Sequence, residues 1–171
     1  MIKFVGVIFI LSGSFMCGHY FADRYLMRVY ILEEFMQALQ YIYSEIEYSV
    51  ADMSEVFDMI AERTKYLSEF FKCISDSLKV KDGSVFSEKW KKSCADENNL
   101  SFCTDEDRRV ICELGGNLGN MDKYSQLHII GIYQEKILQR VQDARREYST
   151  QSRVCHVLGC TIGAFISVLL I

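Results

Sequence analysis

The chain contains no proline in its 171 residues, although average usage near 5 % predicts roughly eight in a chain of this length. Proline removes an amide donor and clashes with the preceding turn of a helix, so its absence leaves long helical runs unbroken. An excess of basic residues is missing too: 19 Lys and Arg stand against 23 Asp and Glu, for a formal net charge of -4. Phosphate recognition needs a concentrated basic surface, and here the basic residues are interleaved with acids, which argues against a nucleic-acid binder. The seven cysteines, Cys17, Cys73, Cys94, Cys103, Cys112, Cys155 and Cys160, form no C-x-x-C pair and have no paired histidine spacing beside them. They carry no zinc signature, and reduced, mostly buried thiols facing a cytosol are the plain reading.

Formal charge is absent from two further places. From Phe4 to Ala22 the sequence FVGVIFILSGSFMCGHYFA carries no Asp, Glu, Lys or Arg; at 1.5 Å per residue it spans roughly 28 Å as a helix, close to the hydrocarbon thickness of a bilayer. No small-x-small cleavage site follows it, so an uncleaved anchor is expected. After Arg153 the run VCHVLGCTIGAFISVLLI repeats the pattern to the end of the sequence. The expected organisation is an N-terminal transmembrane helix over 1–22, a soluble helical domain over 23–153 and a C-terminal transmembrane helix over 154–171. Small residues recur at every fourth position, Ser14, Gly18 and Ala22 on the first run and Gly159, Gly163 and Ser167 on the second, a spacing that permits close packing of membrane helices. Arg24 and Arg28 follow the first run and Arg140, Arg145, Arg146 and Arg153 precede the second, against Lys3 alone outside, which places 23–153 on the cytoplasmic side.

The soluble part reads as helices only. Leu32, Phe35, Leu39, Ile42 and Ile46 alternate steps of three and four among polar residues, giving one apolar stripe on a long helix. A second stripe, Leu127, Ile130, Gln134, Ile137, Val141, Ala144 and Tyr148, leads with little break into the C-terminal apolar run. Between them lie four shorter periodic segments. One is capped by Asp52-Met-Ser-Glu55 and buries Val56, Phe57 and Ile60; one covers 67–79 with Leu67, Phe70, Phe71, Ile74 and Leu78; one covers 85–95 with Val85, Phe86, Trp90 and Cys94. The last is capped by Thr104-Asp-Glu-Asp107 and buries Val110, Ile111, Leu114 and Leu118. The fold class expected is therefore all-α, a six-helix cytosolic bundle flanked by the two transmembrane helices.

Three of the ten glycines fall in LGGNLGNMDKYSQ, Leu114 to Gln126. A phosphate-binding loop needs a preceding strand and G-K-[ST], and a Rossmann turn fails on the same context. The stretch instead turns a corner between two helices: Gly119 or Asn120 ends the first in the left-handed conformation, Asp122 caps the second, and Gly115 lets a neighbouring helix come close. Asp122 and Gln126, one turn apart, project at the hairpin end and either fix the connection or face a partner. His128 is the only histidine outside the terminal runs and has no matched base or nucleophile, so no enzymatic activity, small-molecule substrate, metal or cofactor is expected. The alternative is a membrane-bound thiol or metal-dependent sensor. It needs Cys94, Cys103 and Cys112 accessible with low pKa, although their spacings do not place them together on one helix, or His19 and His156 joined with Cys17, Cys155 and Cys160 as ligands.

Leu118-Gly119, Asp122 and Gln126 ahead of an apolar helix resemble the L-G-x-x-D-x-x-x-Q signature of the stage III sporulation protein AB family. Glu45-Ile46-x-Tyr48, Glu55, Trp90, Leu158-Gly159 and Gly163 before VLLI follow the family pattern in order along essentially the whole chain. One departure is the turn before the second soluble helix, where the family commonly has prolines and this chain has Asp52 and Ser54. The resemblance implies a non-enzymatic part in spore formation, in the mother-cell membrane around the forespore, within a multiprotein channel complex. It also implies a soluble domain similar to the cytoplasmic domain of the type II secretion F protein. The partners implied are the other stage III sporulation subunits, including the complex's cytoplasmic ATPase.

Overall fold

The computed structural model describes residues 2–48, 52–80, 83–96, 100–118 and 122–170, with side chains only in part across 2–21 and 156–170. Among these residues the chain is all-helical, with no strand: α1 Ile2–Tyr48, α2 Met53–Arg63, α3 Ser68–Lys79, α4 Phe86–Ala95, α5 Asp105–Asn117 and α6 Lys123–Leu170. The all-helical class and the six helices of the expected bundle hold among these residues, and the flanking runs are continuous with α1 and α6, as the little break before the C-terminal run suggests for α6. Among the described residues the count is six, because the first and last helices run on through the terminal apolar segments. Between Ala22 and Leu32 there is neither proline nor glycine, so no residue there stops a helix. Among the described residues no helix is long and apolar enough to cross a membrane. The runs Phe4–Ala22 and Val154–Ile171, expected to do so, fall mostly on side chains outside that description.

Two compact units result, one of Tyr30–Val141 and one of Met1–Val29 with Gln142–Ile171. In the latter, Ala22, Val29 and Ala144 are buried, and the buried guanidinium of Arg28 pairs with Glu147. In Tyr30–Val141 the core is built from the stripes read above: Leu32, Phe35, Leu39 and Ile42 of α1, Phe57 of α2, Phe70, Phe71 and Ile74 of α3, Ile111 and Leu114 of α5, and Ile130 and Ile137 of α6 have no exposed surface. Trp90 of α4 stands at the centre. Its ring meets Phe70 edge-on at 5.4 Å and lies 5.7, 6.0 and 6.4 Å from Phe86, Phe57 and Phe35. Aromatic pairs at such separations add about 0.5–1.5 kcal/mol each beyond the area they bury.

The short helices are tied at their ends as well as along their faces. The residue before α3, Leu67, offers no side-chain cap. Glu34 of α1 supplies one from a distance: its carboxylate accepts the amides of Lys65, Tyr66 and Leu67 at 2.9, 2.8 and 3.1 Å. Stacking of Tyr66 on Tyr30, with ring centroids 5.7 Å apart, holds the same turn against α1. At the other end of α3, the buried ammonium of Lys89 donates to the carbonyls of Ser77 and Val80 at 2.6 and 2.8 Å. An anion thus sits at the amino end and a cation at the carboxyl end, each matching the helix dipole.

Hydrogen bonds from backbone amides to a charged acceptor are worth about 1.5–3 kcal/mol, and loss of the acceptor leaves the donors unpaired. Glu34→Ala is therefore expected to destabilise the protein by about 2 kcal/mol, with Glu34→Gln, which keeps one acceptor oxygen, losing less. Thermal denaturation of the two variants beside wild type checks this, and an unchanged Tm for Glu34→Ala contradicts it.

Candidate functional site

The hairpin between α5 and α6 begins beneath the tryptophan. A methyl group placed on Gly115 lies 1.9, 2.0 and 2.4 Å from Cγ, Cδ1 and Cδ2 of Trp90, so the indole rests directly on the backbone of α5. One turn earlier the carbonyl of Ile111 accepts the indole N–H at 2.9 Å, using a lone pair that a helical carbonyl has to spare. Gly115 and Ile111 therefore form a docking place for one side chain of α4, and any side chain at 115 displaces it.

Beyond Gly115, helix α5 closes at Leu118, whose amide donates to the carbonyl of Leu114 at 3.1 Å. Leu118 has extended backbone. Gly119 and Asn120, the residues expected in the left-handed conformation, lie outside the described residues. The side-chain amide of Asn117 donates to the carbonyl of Glu113 at 2.9 Å and to the hydroxyl of Tyr133 on α6 at 3.0 Å, stitching the two helices together.

Asp122 opens α6. Its carboxylate accepts the backbone amide of Ser125 at 3.2 Å and the Ser125 hydroxyl at 2.6 Å, while its carbonyl accepts the amide of Gln126 at 3.0 Å. The Ser125 hydroxyl and then the amides hold the Asp122 carboxyl below its ordinary 3.8. Gln126 is half-buried a turn later. The ammonium of Lys123 reaches the carbonyl of Glu47, at 2.7 Å, near the end of α1. Tyr48 and Tyr124, each 82 % exposed, flank that contact. The other small residues read as sites, Ser14, Gly18, Gly159 and Gly163, have side chains outside the described residues.

A second polar cluster joins the expected Thr104–Asp107 cap to Arg140, a partner that local sequence does not indicate, and pins the start of α5 to α6. Thr104 and Asp107 form a reciprocal capping box. The fully buried carboxylate of Asp107 accepts the Thr104 amide on one oxygen at 3.0 Å and Nε of Arg140 on the other at 2.7 Å. Arg140 also reaches Glu106 at 2.7 Å. Thirty-three positions separate Asp107 from Arg140, so nothing local in the sequence announces the pair.

The thiols are arranged differently from what the sensor alternative needs. Cys94 and Cys103 are buried. Burial first, and then a hydrogen bond with Cys112, pushes the Cys94 thiol far above the ordinary thiol range, the opposite of a reactive thiolate. Cys94 and Cys112 do meet, from α4 and α5, although no single helix carries both. Among the described residues no group of three or more His, Cys, Asp and Glu is placed to hold a metal ion. His19, Cys17, His156 and Cys160 fall outside the described side chains.

Two outcomes follow. Gly115→Ala forces an overpacked contact, at the upper end of or beyond the ~1–3 kcal/mol typical of such changes. Because Trp90 is the single tryptophan, its fluorescence shifts to the red as the ring leaves the core; an unshifted spectrum with unchanged stability contradicts the packing. For Asp122, whose folded pKa is lowered, the cap contributes fully above the ordinary carboxylate range and is lost as pH falls through the lowered value. The Tm deficit of Asp122→Ala relative to wild type is therefore expected to persist at neutral pH and to shrink as pH falls below the ordinary 3.8 through the lowered value; a pH-independent deficit contradicts it.

A family model described as Stage III sporulation protein AB matches residues 3–171. No curated protein and no solved structure matches the chain. The match runs through all six helices, from the first apolar run to the last, and includes Trp90, the hairpin and Asp122. The resemblance seen in the short motifs thus holds across the full length, and the chain belongs to the Stage III sporulation protein AB family.

Proposed function

We propose that this protein is a membrane-anchored adaptor subunit of the sporulation channel complex between mother cell and forespore. In this reading the runs 4–22 and 154–171 cross the mother-cell membrane around the forespore, and the helical domain faces the cytoplasm. Its partners are the other stage III sporulation subunits, including the complex's cytoplasmic ATPase, whose movements the bundle passes on as a secretion-platform subunit of the type II F kind would. The protein itself carries out no reaction.

The observation that carries this reading is the make-up of the two longest helices. Each joins a buried stripe in the Tyr30–Val141 unit to a terminal run without formal charge, through a backbone that stays helical along the way. Family membership over residues 3–171 takes in both runs, and the arginines beside them favour the cytoplasmic side for the part between. A packed bundle joined to an anchor at each end suits a subunit that holds position and transmits movement.

The test is co-purification from sporulating cells. The full chain is expected to fractionate with membranes and, after mild solubilisation, to bring down the complex's ATPase. Recovery in the soluble fraction, or from membranes with no other subunit of the complex bound, overturns the proposal.

A further inference from the structure

We propose that the groove between α1 and α6 within the Tyr30–Val141 unit is a docking site for a basic amphipathic helix of a partner protein. The inference rests on the adaptor reading and names its contact surface. The groove encloses about 730 Å³ and is lined by Met36 and Tyr43 of α1 and by Leu127, Gly131, Ile132 and Leu138 of α6, among others. Ile132 and Leu138 are 41 % and 45 % exposed, large apolar side chains left facing solvent on a helix that buries Ile130, Tyr133, Ile137 and Val141 in the core.

The shape fits a helix. Leu127 to Leu138 is eleven steps of α6, roughly 16 Å at 1.5 Å per residue, about three helical turns. A small ligand is usually engulfed in a closed pocket, whereas this trough lies open along its length. Gly131 sits in it with nothing within 4 Å of where a Cβ would be. The bare backbone there lets an incoming helix approach closely, as in helix-in-groove recognition.

Charge selects the kind of helix. Among the described residues no lysine or arginine lines the groove; its titratable side chains besides Tyr43 are Glu135 and His128. From Val29 to Tyr48, α1 carries no basic residue, and of its four glutamates Glu34 is turned to the amides before α3. Glu33 and Glu47 fall one turn beyond each end of the Met36–Tyr43 line, on the same face by helical spacing. Lys123, at the Glu47 end, donates to the Glu47 carbonyl and keeps its charge there, so the acid of the groove itself is Glu135. An apolar stripe flanked by Lys or Arg complements this surface, and one flanked by acids is repelled.

The experiment uses the full chain and a labelled helical peptide of about 18 residues with leucines at i, i+3, i+4 and i+7 and lysines beside them, followed by fluorescence anisotropy. Saturable binding is expected, weakened about tenfold or more by Gly131→Leu, by Leu138→Lys and by exchange of the peptide's lysines for glutamates, and reduced as salt rises. Gly131→Leu projects into open space, so its Tm serves as a folding control, and Leu138→Lys tests the same surface at an exposed position. Absent binding, equal binding of the glutamate peptide, or undiminished binding by both variants overturns the proposal. Concentration-dependent dimerisation that Gly131→Leu abolishes also overturns it, by giving the groove to a second copy. Co-purification of the ATPase is read separately, so loss of the groove's role leaves the adaptor reading standing or falling on that other result.

Discussion

The indole of Trp90 lies on bare backbone at Gly115, and the bundle is assembled around that plate. The ring bonds to α5 through Ile111 and touches aromatic rings from α1, α2 and α3. One side chain thus joins five helices, counting its own. The arrangement requires that position 115 have no side chain, because even a methyl carbon would lie inside the ring's van der Waals envelope. A glycine in a helix ordinarily costs about 0.5–1 kcal/mol relative to alanine. Here that cost is small beside the burial of the largest side chain in the core, for which truncation costs about 3–5 kcal/mol.

Helices α2 to α5 have 11, 12, 10 and 13 residues, lengths at which an isolated helix is marginal in water. Packing supplies most of what they lack, and charged side chains from other helices supply the rest at their ends. Glu34 serves the start of α3, Lys89 its end, and Arg140 secures the Asp107 that caps α5. These contacts are directional where apolar packing is not. They fix which helix end lies beside which neighbour, and so keep α5 and α6 paired at the hairpin.

Periodicity and local capping were legible because their partners lie within a few residues. The α1 stripe from Leu32 to Ile42 is fully buried, Asp52 and Thr104 cap where their sequence contexts place them, and Asp122 bonds to Ser125 three positions on. Val85, which the periodicity assigns to the core, is 43 % exposed, because it is the extended residue before α4 and not on that helix's apolar face. The distant contacts were illegible for a different reason. Glu34 reaches Lys65 across 31 positions, and Cys94 meets Cys112 from another helix, so only the packed topology brings them together. At the hairpin the aspartate cap could be read directly, whereas the ring over Gly115 could be anticipated only as a close approach without its partner.

The family to which the chain belongs gives it a place in sporulation, and the proposed double anchoring is the claim on which its role as an adaptor turns. Cys73, exposed on α3, provides a native handle for testing which side of a membrane the bundle occupies. The most direct measurement is labelling of the full chain with a membrane-impermeant maleimide in right-side-out and inverted vesicles, with modification of Cys73 read by mass spectrometry. Labelling in inverted vesicles alone is the predicted result. Labelling of Cys73 in intact right-side-out vesicles, or recovery of the chain free of the vesicles, would contradict the account.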